Sequence, residues 1–413
     1  MSILNDALDI KLGSTQVDKI YSGTTLVWPW EAFWKFPSPD AGQILRINVE
    51  TTSDSVTINW GDRTVETVPE SIDTQSQNNI EHTYAGNVRY DGFEIVNMSE
   101  VRRFWSTGNV INDEPDTSTY RFGGIVDLSK LVNVTSYNMF AQGADIKNFN
   151  QLTTSIVDFR HNDGGISEDT SNLNLARLPS LVVFQMQGNS VTGSIHDFTT
   201  LPNLVTYNLG RNQLSGTMSD VSQSPNLRTL LIDNNNLTGE IPSLSGMGTN
   251  NPGNDTNATF SGNNFTSLAP DFSIHNAFGT LGMALNQISG SLPTFDSTYE
   301  NIYSLTFERN QFTGEIPSLV DVGSNLASQN VAIFLGFNNY SNVASNFQVN
   351  SNLKRLHIQS SGLSQSDVDK IITEVDSVSS YNGFLQLQGN SGNSSATDAN
   401  IQNLIDRNWS VSV

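Results

Sequence analysis

Asn234 to Pro242 reads NNNLTGEIP, and Arg309 to Pro317 reads RNQFTGEIP. With Asn235 as origin, apolar Leu230 and Ile232 lie five and three residues before it, Leu237 two after and Gly239 four after. The same frame fits Asn189 (Phe184, Met186, Val191, Gly193) and Asn212 (Tyr207, Leu209, Leu214, Gly216). It fits Asn263, Asn286 and Asn310 further on, and recurs more weakly at Asn338, Ser361 and Asn390. The commonest step is 23 residues. A fixed period of this size marks a repeat architecture. Alternating apolar residues make a short strand with one buried face. One such unit cannot bury that face alone, so units stack, each strand pairing with the next.

In each unit the Asn marks the way out of the strand, where its amide can bond backbone groups that the turn leaves without ladder partners. Gly-x-Ile-Pro then reads as a turn, one inward apolar residue and a proline that cannot prolong a strand. Strands at about 4.8 Å spacing predict a parallel sheet roughly 40 Å long. The Leu-Thr-Gly-Glu-Ile-Pro form resembles the plant-type class of the leucine-rich repeat family, over about residues 172–413. The resemblance implies a mainly β solenoid. Irregular repeats are expected over 99–171, with Val157 and Phe159 placed before Asn162 and a looser fit at Tyr137 and Met139. At the far end, Val368, Ile371, Ile372 and Val375 behind Ser364 or Ser366 have helical spacing, as do Ile401, Leu404 and Ile405. A strand over Trp409 to Val413 closes the chain, so the end reads as a helix-bearing cap.

Residues 31–98 read differently. ILRINVE, SVTINWGDRTVETV, NIEHTY and RYDGFEIVN are alternating strands separated by turn residues. Trp60-Gly61-Asp62, followed by His82-Thr83-Tyr84, resembles PKD-like β-sandwich domains of cell-surface and phage proteins. That resemblance makes Trp60 and Tyr84 core and corner residues, and Arg63 departs from the family's usual Gly. For His82 two readings stand: a structural hydrogen-bonding group, which is favoured, or a functional residue. Residues 1–30 hold two short β pairs, Ile10 to Leu12 with Gln16-Val17, and Lys19 to Tyr21 with Thr25 to Trp28. They resemble N-terminal segments of phage tail and virion proteins. Two readings stand: an attachment module that docks on a partner, or extra edge strands of the sandwich.

The formal charge of -21, from 41 acidic and 20 basic residues, argues against nucleic acid and against docking on anionic lipid. Cysteine is absent, which excludes disulfides and thiolate sites. MSILNDALDIKLGST lacks the basic and apolar regions of a signal peptide, and no run is long enough to span a bilayer. The five histidines, His82, His161, His196, His275 and His357, are scattered, and no nucleophile elbow or phosphate loop occurs. The acidic stretch Ile111 to Tyr120 lacks the alternation of a calcium loop and reads as solvated. No cofactor, metal or catalytic centre is expected.

What remains is the outward strip of the repeat sheet, four and two residues before each Asn. It comprises Gln185 and Gln187, Asn208 and Gly210, Leu231 and Asp233, Thr259 and Ser261, Gly282 and Ala284, Thr306 and Glu308, Phe334 and Gly336, His357 and Gln359, and Gln386 and Gln388. Amides and hydroxyls on a rigid sheet suit sugar hydroxyls or peptide groups; the alternative is a merely solvated face. The resemblances together imply a phage virion protein, tail-associated or fibre-like. It would bind a host-surface glycan or protein through the array and other virion proteins through residues 1–30, with homo-oligomerisation compatible. A bacterial surface adhesin is the second reading and a polysaccharide depolymerase the third.

Overall fold

The computed structural model describes the chain from residue 33 onward, apart from 36–40, 42, 52–54, 63, 70–79, 85–91, 93, 97, 108–109, 112–113, 116–123, 141–142, 251–252, 254, 327–329 and 379. Before residue 33 it describes the backbone of 11–12, 15–16, 20–22 and 25–28. The chain forms two compact units, one of residues 1–134 and 142–152, the other of 135–141 and 153–413.

The second unit is a leucine-rich repeat solenoid. Among the described residues, twelve short strands from Ser136–Phe140 to Ser410–Ser412 run parallel, each paired with the strand of the preceding coil. The register puts Phe184, Tyr207, Leu230, Ala258, Leu281, Leu305, Ile333, Leu356 and Leu385 in one row. All are buried. Each large aliphatic side chain taken out of water there stabilises the stack by about 1.5–3 kcal/mol.

The asparagines form the expected ladder. Asn235 Nδ2 donates to the carbonyls of Leu209 in the preceding coil, at 3.0 Å, and of Ile232 in its own, at 3.1 Å. Its Oδ1 accepts from Leu214 N at 2.9 Å. Asn189, Asn212, Asn263, Asn286, Asn310, Asn338 and Asn390 repeat this pattern. The residue before each ladder position is left-handed, including Arg211, Asn234, Leu285, Arg309, Phe337 and Ser360 at φ between 49° and 58°. That kink turns the chain out of the sheet and leaves the carbonyls that the amide then satisfies.

Two expectations need correcting. The Gly of Gly-x-Ile-Pro is not a turn. Asn236–Ile241 is a strand, paired in parallel with Ser215–Thr217 and Asn264–Leu268 in a second sheet. Gly239, at φ 82°, absorbs the bend as a register shift, so Leu237 and Ile241 both still point inward. Nor is Asn162 the ladder asparagine of a repeat behind Val157 and Phe159. Phe159 registers with Phe184, so the core pair is Phe159 and His161, and Asn162 falls on the outward strip. Tyr137 and Met139 do take the core positions. His161 is tolerated inside because its Nδ1 meets the Tyr137 hydroxyl at 3.0 Å.

At the C-terminus, helix α1 (Gln365–Ser377) starts at a capping box of Ser364 with Asp367 and buries Val368, Ile371, Ile372 and Val375. Helix α2 (Asp398–Asp406) packs less fully: Leu404 is buried, Ile401 is half-buried and Ile405 is exposed. Trp409 takes over there, its Nε1 donating to Ser380 O at 3.0 Å. Its indole lies against Gly383, where a Cβ would come within 2.4 Å of the ring.

In the first unit Ser55–Asn59 is the central strand of a three-stranded antiparallel sheet, and Ile44–Thr51 pairs antiparallel with Ile80–Thr83 on one side and Val101–Thr107 on the other. Trp60 and Tyr84 are buried, and the Tyr84 hydroxyl donates to Trp60 O at 3.2 Å. His82 stacks on Trp60 and bonds Asp62. A further three-stranded group joins Ile125–Asp127, Asp145–Lys147 and Trp34–Lys35. Lys11–Leu12 pairs with Thr15–Gln16, and Ile20–Ser22 with Thr25–Trp28, as two separate hairpins. Most of the acidic stretch Ile111 to Tyr120 lies outside the described residues.

Candidate functional site

Alternation along each strand decides what faces outward. The residues between the buried pairs emerge on one side and line up across the sheet. The row four before each Asn runs Gln185, Asn208, Leu231, Thr259, Gly282, Thr306, Phe334, His357 and Gln386 in direct register. Ser412 extends it. Two residues earlier, a parallel row runs Ser304, Ala332, Arg355, Phe384 and Ser410 over the last five strands. That row was missed in the sequence because the frame began at the first buried residue. The period of two carries the outward set one step further back.

The strip divides into two chemistries. Toward the N-terminal end its amides bond one another. Asn162 Nδ2 donates to Gln185 Oε1 at 3.3 Å, and Asn208 Nδ2 to Gln187 Oε1 at 3.0 Å. Asn208 Oδ1 accepts from Gly210 N at 3.1 Å, and Asn208 is buried. Its donor and acceptor are thus engaged within the protein. Cations in this part are paired with acids: Arg160 with Asp158 and Arg211 with Asp163, both at 2.7 Å, and Arg228 with Asp255. Leu231, Asp233, Thr306 and Glu308 are half-buried along the middle. The small residues there serve packing: a Cβ on Gly210 would meet Asp233 Oδ1 at 2.7 Å.

The C-terminal end is aromatic and cationic. His357 meets Phe334 edge to face with centroids 4.6 Å apart. Burial, and after it the Arg355 guanidinium, hold the imidazole below its ordinary pKa, so it is neutral near pH 7. The Arg355 guanidinium carbon sits 5.2 Å from the centre of the Phe384 ring. Gln359 lies across Gly336, and its Oε1 is buried with no hydrogen-bond partner. Gln388 is exposed. Among the described residues no cluster of His, Asp and Glu could hold a metal ion, and no helix is long and apolar enough to cross a membrane.

The other histidines are structural. His196 bridges the Tyr207 hydroxyl and Leu173 O, and His275 bonds Met247 O. A second polar ladder, unseen in the sequence, runs along another corner of the coils. Asn203 donates to Pro179 O at 2.9 Å, Asn226 to Pro202 O at 2.8 Å and Asn301 to Asn276 O at 2.6 Å. Its sequence trace is the recurring Pro-Asn-Leu of residues 202–204 and 225–227.

No protein-family model and no curated protein matches the chain. Among solved structures it is similar to a TDR receptor, at 19% identity over 66% of this chain and 55% of that one, with a TM-score of 0.48. It is similar to the plant peptide hormone receptor RGFR1, solved in complex with RGF2, at 18% identity over 66% and 50%, with a TM-score of 0.45. The APL1 leucine-rich repeat domain matches at 15% identity over 64% of each chain, with a TM-score of 0.43. This chain spans about half the length of the two receptors. The likeness is one of fold.

Proposed function

We propose that this chain is a non-enzymatic recognition protein that holds a host-surface ligand on the outward strip of its repeat sheet, as part of a phage virion. One observation carries the reading. Side chains from successive coils stand in register on a rigid sheet, so a long ligand is met by many weak contacts at fixed spacing. Several copies on one particle multiply such contacts without any one of them being strong. Residues 1–30, two hairpins too small to be stable alone, attach the chain to other virion proteins, and the PKD-like sandwich acts as a spacer.

Mass spectrometry of purified virions tests the assembly. Peptides of this chain should co-purify with the particles, and their absence overturns the virion assignment. Binding of the purified chain to intact host cells tests recognition separately. Retention on susceptible but not on receptor-deficient cells is expected.

A further inference from the structure

We infer that the C-terminal end of the outward strip binds a carboxylate-bearing sugar unit of a surface polysaccharide. The site is the cavity of about 270 Å³ walled by Asn330, Ala332, Lys354, Arg355, Asn382 and Phe384. The inference deepens the reading above and rests on this face being the contact surface.

Charge sets this region apart. The chain is strongly acidic, yet between Asp321 and Asp367 it holds no Asp or Glu, while it does hold Lys354 and Arg355. Between Asp376 and Asp398 it holds no charged residue at all. The last strands therefore present cations with no acid beside them in sequence. Arg160, Arg211 and Arg228 have acidic partners; Arg309 and Arg355 have no carboxylate partner among the described residues and lie over the Phe337 and Phe384 rings. Lys354 Nζ donates to Tyr381 O at 2.7 Å, which uses one of its three donors. An unpaired guanidinium in a concave site is a carboxylate receptor.

The rest of the wall selects a sugar. Phe384 is 43% exposed, and its ring suits a ligand with a flat apolar face. The C–H face of a pyranose is such a surface. Gln386, two residues further along the same strand, brings an amide that can both donate to and accept from hydroxyls. The cavity lies just below the roughly 300–1,000 Å³ typical of pockets for larger ligands, which suits one or two sugar rings.

The test uses the full chain on immobilised oligosaccharides containing glucuronic, galacturonic or sialic acid, each beside its carboxyl-reduced counterpart, and on a polyglutamate peptide. At least one acidic sugar should bind, with its reduced form weaker by about tenfold or more. Arg355→Gln should lower that affinity by roughly tenfold, while Ser215→Ala on the second sheet leaves it unchanged. Equal melting temperatures of wild type and Arg355→Gln show that the loss is not unfolding. Failure of every acidic sugar to bind overturns the inference. So does equal binding of the reduced forms, an unaffected Arg355→Gln, or tighter binding of polyglutamate than of every sugar. Absence from virions with this binding intact sinks only the virion assignment; presence in virions without it sinks only the sugar site.

Discussion

At position 361 a serine stands where the ladder elsewhere has asparagine, and the neighbours change to fit. The Leu335 carbonyl, which an amide there would cover, instead receives the Tyr340 hydroxyl at 3.1 Å, and Tyr340 N donates to Ser361 O at 3.1 Å. Tyr340→Phe should therefore cost about 1 kcal/mol in urea denaturation, the loss of one of the two hydrogen bonds this carbonyl accepts, since Asn338 Nδ2 still donates to it at 2.8 Å. Adding Ser361→Asn to that variant should restore most of the loss; no recovery would show that the ladder does not carry it. Asn235→Ala removes several bonds at once and should cost more than Tyr340→Phe, by the same measurement. Leu285 lies at φ 57° and is exposed, so its branched side chain bears strain without packing benefit. Leu285→Gly should be neutral or stabilising by up to about 1 kcal/mol, against the usual direction for glycine.

Individual elements show where one contact decides an outcome. Helix α1 is fastened by its capping box, so Ser364→Ala should cost about 1 kcal/mol. The terminal strand depends on Trp409 lying flat on Gly383. Gly383→Ala should expose that indole, read as a red shift and increased quenching of tryptophan fluorescence, while the strands before residue 353 keep their amide protection. In the first unit, Asp127 accepts from Ser129 Oγ at 2.6 Å and from Asn148 Nδ2 at 2.8 Å, and lies 3.0 Å from Lys147 Nζ. Burial works to raise its pKa, but those bonds and the lysine outweigh it and hold the group at about 2. A depressed folded-state pKa contributes stability above the unfolded value near 4, and that contribution fades as pH falls toward 2. Asp127→Asn should thus destabilise the protein at pH 7 and have little further effect near pH 2, followed by denaturation at both values.

Over the whole molecule, charge and repetition set the behaviour. A net charge of -21 repels itself, so the melting temperature should rise as ionic strength goes from about 10 mM to about 150 mM. In the solenoid each coil contacts chiefly its neighbours, so an interruption loosens the stack locally. Hydrogen exchange of Asn235→Ala should show the largest loss of protection in the coils on either side of residue 235, whose carbonyls and amides the side chain joins. Uniform loss along the whole array would contradict nearest-neighbour coupling.

The amino-acid sequence by itself determined the repeat, its buried rows, the asparagine ladder and the helical cap. These follow from local periodicity, because each coil sees the same neighbours, and a pattern repeated along the chain is repeated in space. The sequence misled where bends were absorbed within elements: Gly239 reads as a turn, yet it sits as a bulge in the second sheet. It also misled where a polar residue occupies the core, since His161 interrupts the apolar frame and is accommodated there by its bond to Tyr137. The candidate face was half legible. Which residues point outward follows from a period of two, but whether an outward side chain is available depends on what reaches it from the next coil. Asn208 and Gln187 engage each other, while Arg355 meets no carboxylate among the described residues. Those partners lie a full coil apart in sequence and are joined only by register, which is why tertiary structure alone decided them.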